Sequence, residues 1–297
     1  MHLFHRNLEL SLASPREATE RDLTAVSRLL RSSTRRFMSF PNLDLPALLS
    51  GAPALLLAAG DEIWAVAIAG WRAESATWLR ALVLANSLPV GGGLDQLLPP
   101  FHALLRTREL RMLFYAGDEV ADAWLQPALT ARGYVADTKV VVYEKRGLAI
   151  PSQGNLAARV RRAQAVDLGI ILAIDRACFE PQWNKGESIL GPALLESPNF
   201  VVAELDGTVA GYAFTTTHFS GRLVHLVRIA VLPAYRGKAI GVRLLAEVVA
   251  YARTTGAESL TLNTQAHNAP AQRLYEWFGF HRTGEQQTVL RFDLDPA

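Results

Sequence analysis

Cysteine is scarce in this sequence, because Cys178 is the one thiol among 297 residues. A single cysteine cannot form an intramolecular disulfide or a cysteine-based metal cluster. The seven histidines show no metal-ligand spacing such as H-E-x-x-H. The sequence therefore predicts neither a disulfide framework nor a built-in metal site.

Long apolar runs are absent as well. The longest candidate, residues 45–59, is interrupted by Pro46, Ser50 and Pro53, whereas a membrane-spanning helix needs about 20 apolar residues in succession. Residues 1–6 also lack the apolar region of a signal peptide. We therefore expect a cytoplasmic protein with no membrane partner.

Neither sign of charge dominates the chain, since 30 basic and 28 acidic residues leave a formal net charge of +2. Nucleic-acid binding needs basic residues clustered on one face, and so small an excess predicts no nucleic-acid partner. Half of the residues are hydrophobic, as in an ordinary globular protein. The length favours two domains.

An internal repeat divides the sequence. Residues 148–155 carry a proline, a serine and a glycine between two periodic regions and are interpreted as a linker. The halves on either side align with an offset of about 145 residues, so that Asp22 and Asp167 each precede an amphipathic stretch. Each half continues with a strand hairpin, an apolar strand, a turn and a helix, and we predict two copies of one α/β unit.

The clearest chemical signal is a strand, a turn and a helix in the second half. The strand ends at Val231, the turn contains Gly237 and Gly241, and the helix has an apolar face at residues 244, 245, 248, 249 and 252. The start of such a helix presents free N–H groups and the positive end of the helix dipole, which suits a phosphate group. Three basic residues add positive charge there: Arg236, Lys238 and Arg243.

A second motif, residues 268–280, reads N-A-P-A-Q-R-L-Y-E-W-F-G-F. With it, roughly residues 156–295 resemble the GNAT superfamily of acyl-CoA N-acyltransferases. The family's phosphate-binding motif, Arg/Gln-x-x-Gly-x-Gly/Ala, falls on residues 236–241, and its motif Asn-x-x-Ala-x-x-Leu-Tyr-x-x-x-Gly-Phe falls on residues 268–280. Ala239 departs from the pattern, because it replaces the first glycine of the phosphate motif. Its methyl group is tolerable if the residue has a negative φ.

The resemblance implies a domain organisation. We expect an α/β protein of two tandem GNAT-like domains, each with a central mixed β-sheet flanked by helices. Residues 1–147 would form a degenerate domain, residues 148–155 a linker, and residues 156–297 the catalytic domain that binds acetyl-CoA. This architecture is similar to that of mycothiol synthase, which has two such copies, one of them active.

The resemblance also implies a coenzyme site. Backbone amides of the turn would hold the pyrophosphate of coenzyme A, the strand would hydrogen-bond the pantetheine arm, and the amide of Val231 would donate to the acetyl carbonyl. Asn268 would contact the coenzyme as well. The expected coenzyme-binding residues are Ile229, Ala230, Val231, Arg236, Gly237, Lys238, Ala239, Ile240, Gly241 and Asn268.

Two catalytic residues are expected, Tyr275 and His225. The departing thiolate needs a proton, and a tyrosine hydroxyl with a pKa near 10 keeps its proton at neutral pH and can donate it. The acceptor amine must lose a proton, and His225 and His267 are candidate bases because histidine has an ordinary pKa near 6.5. His225 is the stronger of the two candidates, and a relay through ordered water is equally compatible with the chemistry.

Residues 178–183, C-F-E-P-Q-W, follow the first helix of the second half, where related enzymes bind the acceptor. This segment resembles the Cys-Phe-x-x-x-Trp loop of ribosomal-protein alanine acetyltransferases. Phe179 and Trp183 are the candidate acceptor-binding residues, with core packing as the alternative. Cys178 is expected to be a buried hydrophobic residue and not a nucleophile.

The first half keeps the order of elements without the chemistry. Its glycine run at residues 91–93 has no adjacent basic residue, and Leu129 stands near the position of Tyr275. Pro99 and Pro100 are expected to interrupt the helix that follows the glycines. We predict a degenerate copy with no coenzyme site, which completes the acceptor cleft or acts as an internal pseudo-dimer partner in a monomeric chain.

These observations predict an N-acetyltransferase that moves an acetyl group from acetyl-CoA to a primary amine of a small molecule or a peptide N-terminus. Acetyl-CoA would be the co-substrate, and no metal is expected. The alternative is a non-catalytic acyl-CoA-binding or sensor module.

Overall fold

A computed structural model of the chain describes residues 8–39 and 44–295. The chain forms two compact units: unit 1 comprises Met1–Asp137 and Gln287–Ala297, and unit 2 comprises Thr138–Gln286. Residues 1–6, for which the sequence predicts no signal peptide, lie outside the described residues. Within the described part of the chain, no helix is long and apolar enough to cross a membrane.

Unit 1 is built on a mixed sheet. Its elements are β1 (Ser14–Glu17), α1 (Leu23–Ser32), β2 (Arg35–Met38), α2 (Leu45–Gly51), β3 (Ala54–Ala59), β4 (Glu62–Ala73), β5 (Ala76–Leu84), α3 (Val90–Thr107), β6 (Met112–Tyr115), α4 (Glu119–Asp122) and α5 (Leu125–Thr130). The strand order is β1-β3-β4-β5-β6, and β2 also pairs with β5. β5 and β6 run parallel, and the other pairs are antiparallel.

Unit 2 repeats this arrangement. Its elements are β7 (Val135–Lys145), β8 (Arg159–Arg162), α6 (Leu168–Cys178), α7 (Glu187–Glu196), β9 (Asn199–Leu205), β10 (Thr208–His218), β11 (Leu223–Val231), α8 (Ile240–Thr254), β12 (Ser259–Gln265), α9 (Ala269–Trp277) and β13 (His281–Asp293). The strand order is β7-β12-β11-β10-β9-β8, in which β11 and β12 are parallel.

Each sheet takes a strand from the other half of the sequence. Residues 140–145 of β7 pair with β12 in unit 2, and residues 290–293 of β13 pair with β6 in unit 1. The units therefore differ from the predicted domains, because residues 138–147 belong to unit 2 and residues 287–297 to unit 1. Aligning the two halves of the sequence cannot reveal the exchange of β7 and β13, because each strand still comes last in its own half.

Helices cover both faces of each sheet. On β4, Val66 and Ala67 belong to different core clusters, and on β10 Tyr212 and Ala213 do the same. Successive side chains of a strand point to opposite faces, so each sheet is packed on both sides. The predicted α/β class, with two copies that each have a mixed sheet flanked by helices, is confirmed.

Of the predictions for the two long helices, the one for α8 is confirmed and the one for α3 is wrong. The predicted apolar face of α8 is confirmed, because all of its members are buried: Leu244, Leu245, Val248, Val249 and Ala252. The predicted break in α3 is wrong, because α3 continues through Pro99 and Pro100. Each proline removes one N–H donor, but the buried face of α3, which includes Leu98 and Phe101, keeps the helix on the sheet.

Candidate active site

The central feature of unit 2 is the point where β11 and β12 separate. The two strands pair only over residues 223–226 of β11 and 259–262 of β12. A bulge at Val227 then shifts the register of β11 against β10. Among the described residues, the segment 228–231 has β10 on one side and no strand partner on the other.

The backbone of this segment presents hydrogen-bonding groups to the open side. The amide of Leu232 donates to the carbonyl of Ala210 on β10 at 2.9 Å. Alternate residues of an antiparallel strand point to opposite sides, so the amides of Ile229 and Val231 face the opening. An extended ligand with amide groups fits such an edge as an added strand would.

The turn before α8 lies at the end of the same strand. Gly237 has a φ of 78° and Ala239 a φ of 54°, so Ala239 does not meet the condition of a negative φ under which its methyl group would be tolerable. A left-handed conformation costs roughly 1 kcal/mol in a residue with a Cβ. Residues 236–239 are exposed, and the first amides of a helix have no partner inside it, so this turn can accept an anion.

Basic side chains surround the turn. Arg236 and Lys238 are exposed, and the Lys238 Nζ lies 4.9 Å from the ring centroid of Tyr235. Arg243 is half-buried, and its Nη1 donates to the Oε1 of Gln153 at 3.4 Å. Exposed amides and cations thus lie together at the end of the open edge, as a pyrophosphate site requires.

Tyr275 lies on α9 and is 5% exposed. Its ring centroid lies 6.1 Å from that of Tyr143 and 6.0 Å from that of Phe280. Burial raises the pKa of Tyr275 to about 12, so the hydroxyl keeps its proton at neutral pH. Asn268 caps the same helix, because its Oδ1 accepts a hydrogen bond from the amide of Ala271 at 3.3 Å.

The two candidate bases lie in different surroundings. His225 is on β11 before the bulge, with its Nδ1 2.9 Å from the Oγ1 of Thr261. Burial, together with His218 and Lys185, lowers the pKa of His225 to about 4, so the imidazole is a weaker base than an ordinary histidine. His267 is exposed, and its Nδ1 lies 3.1 Å from the Oγ1 of Thr138.

A buried ion pair holds the segment expected to bind the acceptor. Arg228 donates to both carboxylate oxygens of Asp175, at 2.7 and 2.8 Å, and to the carbonyl of Trp183 at 2.6 Å. The Arg228 guanidinium also lies 3.3 Å from the ring centroid of Phe179. The two candidate acceptor residues, Phe179 and Trp183, are therefore brought together by one arginine at the start of the open edge.

Comparison with known proteins agrees with this geometry. The sequence profile of the acetyltransferase (GNAT) family matches residues 169–280. A Bacillus subtilis protein named as a ribosomal protein bS18-alanine N-acetyltransferase is 31% identical over 129 residues, which are 43% of this chain and 83% of the relative. The chain belongs to the GNAT family. The expected enzyme class, acyltransferase, is confirmed at the level of this family.

Two further proteins extend the likeness. An N-alpha-acetyltransferase of Sulfurisphaera tokodaii is 33% identical over 133 residues, which are 41% of this chain and 79% of that protein. A solved tandem GNAT protein from the clavulanic acid biosynthesis pathway is 12% identical, with a TM-score of 0.61 over 96% of this chain and 99% of that one. The similarity to the tandem protein concerns the fold alone, and it agrees with two copies of one fold in this chain.

The ion pair between Asp175 and Arg228 in unit 2 is not predicted from the sequence. Asp175 accepts two further hydrogen bonds, from the Tyr212 hydroxyl and from the amide of Lys185. Asp175 lies in an apolar stretch of α6 and Arg228 in an apolar stretch of β11. Two opposite charges on otherwise apolar elements are a signal for a buried pair, because an unpaired buried charge is costly.

Cys178 and Lys185 border the same segment. The Cys178 thiol donates to the carbonyl of Val231 at 3.2 Å, and burial raises its pKa, so it is no ready nucleophile. The cysteine is half-buried, whereas the sequence predicted a buried one. Burial and the nearby Arg228 lower the pKa of Lys185 to about 8.

Unit 1 has the same separation of strands, but a strand fills it. β5 pairs with β6 only over residues 76–78, and β2 pairs with residues 81–84 of β5 on the side away from β4. Phe37 of β2 is 2% exposed, and its ring lies 4.8 Å from that of Tyr115 on β6. The edge that is open in unit 2 is thus occupied by the protein's own backbone in unit 1.

Unit 1 also lacks the turn that precedes α8. Its glycine run, residues 91–93, lies inside the first turn of α3, and none of these glycines has a positive φ. The described residues contain no group of three His, Cys, Asp or Glu side chains that could hold a metal ion.

Proposed function

We propose that unit 2 is an N-acetyltransferase that moves an acetyl group from acetyl-CoA to a primary amine by direct attack. The observation that carries this proposal is the open edge of β11 beside a turn of exposed amides. The amides of residues 237–241 and the cations of Arg236 and Lys238 would hold the pyrophosphate, whereas the amide of Arg236 donates to the carbonyl of Pro233. The pantetheine arm would add to the edge formed by Ile229, Ala230 and Val231, with Asn268 close to the coenzyme.

The chemistry follows from what the reaction requires. The amine nitrogen attacks the thioester carbonyl, and an amide of the open edge, assigned to Val231, donates to the oxyanion that forms. The carbon–sulfur bond then breaks, and the Tyr275 hydroxyl gives its proton to the sulfur. The low pKa of His225 favours ordered water over this histidine as the first acceptor of the proton that the amine loses.

The acceptor would bind beside Phe179 and Trp183. Arg228 and Asp175 would keep these two residues in position through the ion pair and the contacts with the Phe179 ring and the Trp183 carbonyl. The names of the relatives include acceptors of both kinds, a ribosomal protein and the small amine thialysine. A peptide N-terminus and a small-molecule amine are therefore the two acceptor classes that we propose.

Unit 1 would be a degenerate copy with no coenzyme site, because β2 fills the place of the pantetheine arm. One chain would then bind one acetyl-CoA molecule. We also propose that the protein is cytoplasmic and that its chain is monomeric. The second half would be the active domain and the first half a structural domain.

The test is acetyl-CoA-dependent release of free thiol, measured across peptides, polyamines, amino sugars and aminoglycosides. We expect release above the rate of hydrolysis with at least one class of amine. Binding of acetyl-CoA without thiol release for any amine would instead support a sensor module. Titration calorimetry of the same preparation should give one acetyl-CoA per chain, and two per chain would contradict the degenerate role of unit 1.

A further inference from the structure

The segment that the sequence presents as a linker is in close contact with the turn before α8. The side-chain Nδ2 of Asn155 donates to the carbonyl of Lys238 at 3.0 Å, and its backbone amide donates to the carbonyl of Ala239 at 3.3 Å. These are consecutive residues at the centre of the turn, and both belong with Asn155 to unit 2.

Gly154 makes this approach possible. It has a φ of +68°, and a Cβ at this position would lie 2.5 Å from the amide nitrogen of Arg243 and 2.7 Å from the carbonyl oxygen of Ala239. No side chain fits in that space without moving the backbone of the turn or of α8. Gln153, next in the chain, accepts a hydrogen bond from Arg243. We call residues 153–155 the brace.

The brace determines where the amides of the turn point. In a trans peptide the carbonyl and the following N–H point in opposite directions. The carbonyls of Lys238 and Ala239 face Asn155, so the N–H groups of Ala239 and Ile240 face away from the brace, toward the exposed side of the turn. Because Ala239 has a left-handed backbone and a Cβ, its conformation needs support from neighbouring contacts.

We infer that Asn155 and Gly154 are positioning residues of the coenzyme site, which fix the pyrophosphate-binding amides of Ala239 and Ile240 from behind. This inference rests on the proposed function of the turn. The brace touches neither the open edge of β11 nor Tyr275 in any hydrogen bond of the described residues, so its effect should be limited to coenzyme affinity.

The test uses the full chain and coenzyme A, with Kd measured by titration calorimetry and KM and kcat by thiol release. We expect Asn155→Ala to raise the Kd for coenzyme A and the KM for acetyl-CoA about fivefold to tenfold, because the hydrogen bond to the Lys238 carbonyl is lost, together with the one that the Asn155 Oδ1 accepts from the amide of Ala157, and the turn relaxes. The kcat at saturating acetyl-CoA should change less than twofold. Gly154→Ala should raise the Kd at least as much, since its Cβ displaces the turn.

Asn86→Ala is the matched control. In unit 1, Asn86 also donates its Nδ2 to a distant backbone carbonyl, that of Ser32 at 3.1 Å, and its Oδ1 accepts from the amide and the hydroxyl of Thr34. Its loss should therefore lower the melting temperature at least as much as Asn155→Ala and leave the Kd unchanged. Wild-type Kd values in both Asn155→Ala and Gly154→Ala would overturn the brace. A wild-type chain that fails to bind coenzyme A would overturn the proposed function, and the brace with it.

Discussion

The two units separate their parallel central strands in the same way and use the gap differently. In unit 2 the gap leaves residues 228–231 of β11 with an open edge, whereas in unit 1 β2 adds to β5 at the corresponding place. The segments concerned are equivalent in the repeat, because β2 begins three residues after α1 ends and Pro181 stands three residues after the end of α6. A short segment after one helix thus decides whether the gap can receive a ligand.

Proline explains part of the difference. Pro181 begins a 3-10 turn and has no N–H to give to a strand, whereas every residue of β2 can donate. In unit 2 the ion pair of Asp175 and Arg228 also fixes the segment through the Trp183 carbonyl, and position 30 of unit 1, the counterpart of 175, is a leucine. Unit 1 therefore differs from unit 2 in two linked respects. It lacks the coenzyme-binding motif, and β2 fills the gap beside β5.

The largest effects on stability and on KM should come from placing a proline in β5 of unit 1 and, separately, in the open edge of β11 in unit 2. The amide of Ala85 donates to Trp64 on β4 at 2.7 Å, so by alternation the amide of Leu82 faces β2 as that of Ile229 faces the open side. Leu82→Pro should lower the free energy of unfolding by at least about 3 kcal/mol, measured in urea, because it removes a sheet hydrogen bond and part of the packing of a fully buried leucine.

Ile229→Pro should instead leave most of the stability and raise the KM for acetyl-CoA at least tenfold, because its amide has no strand partner to lose. The KM of Leu82→Pro should stay within twofold of the wild type. Equal effects of both variants on KM, or on stability, would show that the two edges are not used differently.

Substitution of one tyrosine in each unit, Tyr275 and Tyr115, tests whether the reaction takes place in unit 2 alone. Tyr275→Phe should lower kcat about a hundredfold, as expected for loss of a general acid, with the Kd for coenzyme A nearly unchanged. The control is Tyr115→Phe in unit 1, where the hydroxyl donates to Asp122 at 2.7 Å, and kcat should remain near the wild-type value. Full activity of Tyr275→Phe would remove this residue from the mechanism.

Acid should weaken the two units alike, because each buries a histidine whose pKa is lowered to about 4, mainly by burial: His102 and His225. The unfolded chain takes up these protons near pH 6.5, so the contribution of each neutral imidazole is complete above that pH and is lost as the pH falls toward 4. Each of the two histidines should lower the free energy of unfolding by about 2 kcal/mol when the pH falls from 7 to 5.

Replacement of either histidine by glutamine should therefore flatten the dependence of the unfolding free energy on pH by that amount. Urea unfolding at the two pH values measures the effect. A pH dependence identical to that of the wild type would contradict the lowered pKa of the residue replaced.

The smallest effects concern glycines. Ala239→Gly should stabilise unit 2 by about 1 kcal/mol, because it removes a Cβ from a left-handed backbone. Gly91→Ala should stabilise unit 1 by about 0.7 kcal/mol for the opposite reason, since Gly91 lies in a helix and has room for a methyl group. Thermal or urea unfolding measures both, and a loss of stability in either variant would contradict the backbone conformation described.

Much of unit 2 could be predicted from local patterns. The apolar face of α8, the glycine turn and the motif around Tyr275 depend on residues close in sequence, and a family resemblance then gave the fold. The pair of Asp175 and Arg228 joins residues 53 positions apart, so no local pattern contains it. The positive φ of Ala239 was missed for a related reason, because alanine alone favours negative φ and the contacts with the brace come from more than 80 positions away.

β2 was missed because its sequence, R-R-F-M, has charge at two of four positions and too little alternation to indicate a strand. Its place in the sheet depends on a gap that only the tertiary structure creates. The lack of a coenzyme motif in the first half did indicate a degenerate copy, but it could not indicate what occupies the gap.

The exchange of β7 and β13 has a consequence for biosynthesis. Most of unit 1 precedes unit 2 in the chain, yet β6 gains its neighbour β13 only when residues 290–293 leave the ribosome, after β7 to β12. Until then β6 has an unpaired edge of the kind that promotes aggregation. Of the two units, unit 1 is thus begun first and finished last, and deletion of residues 290–293 should destabilise unit 1, whose other strands lie far from these residues in sequence.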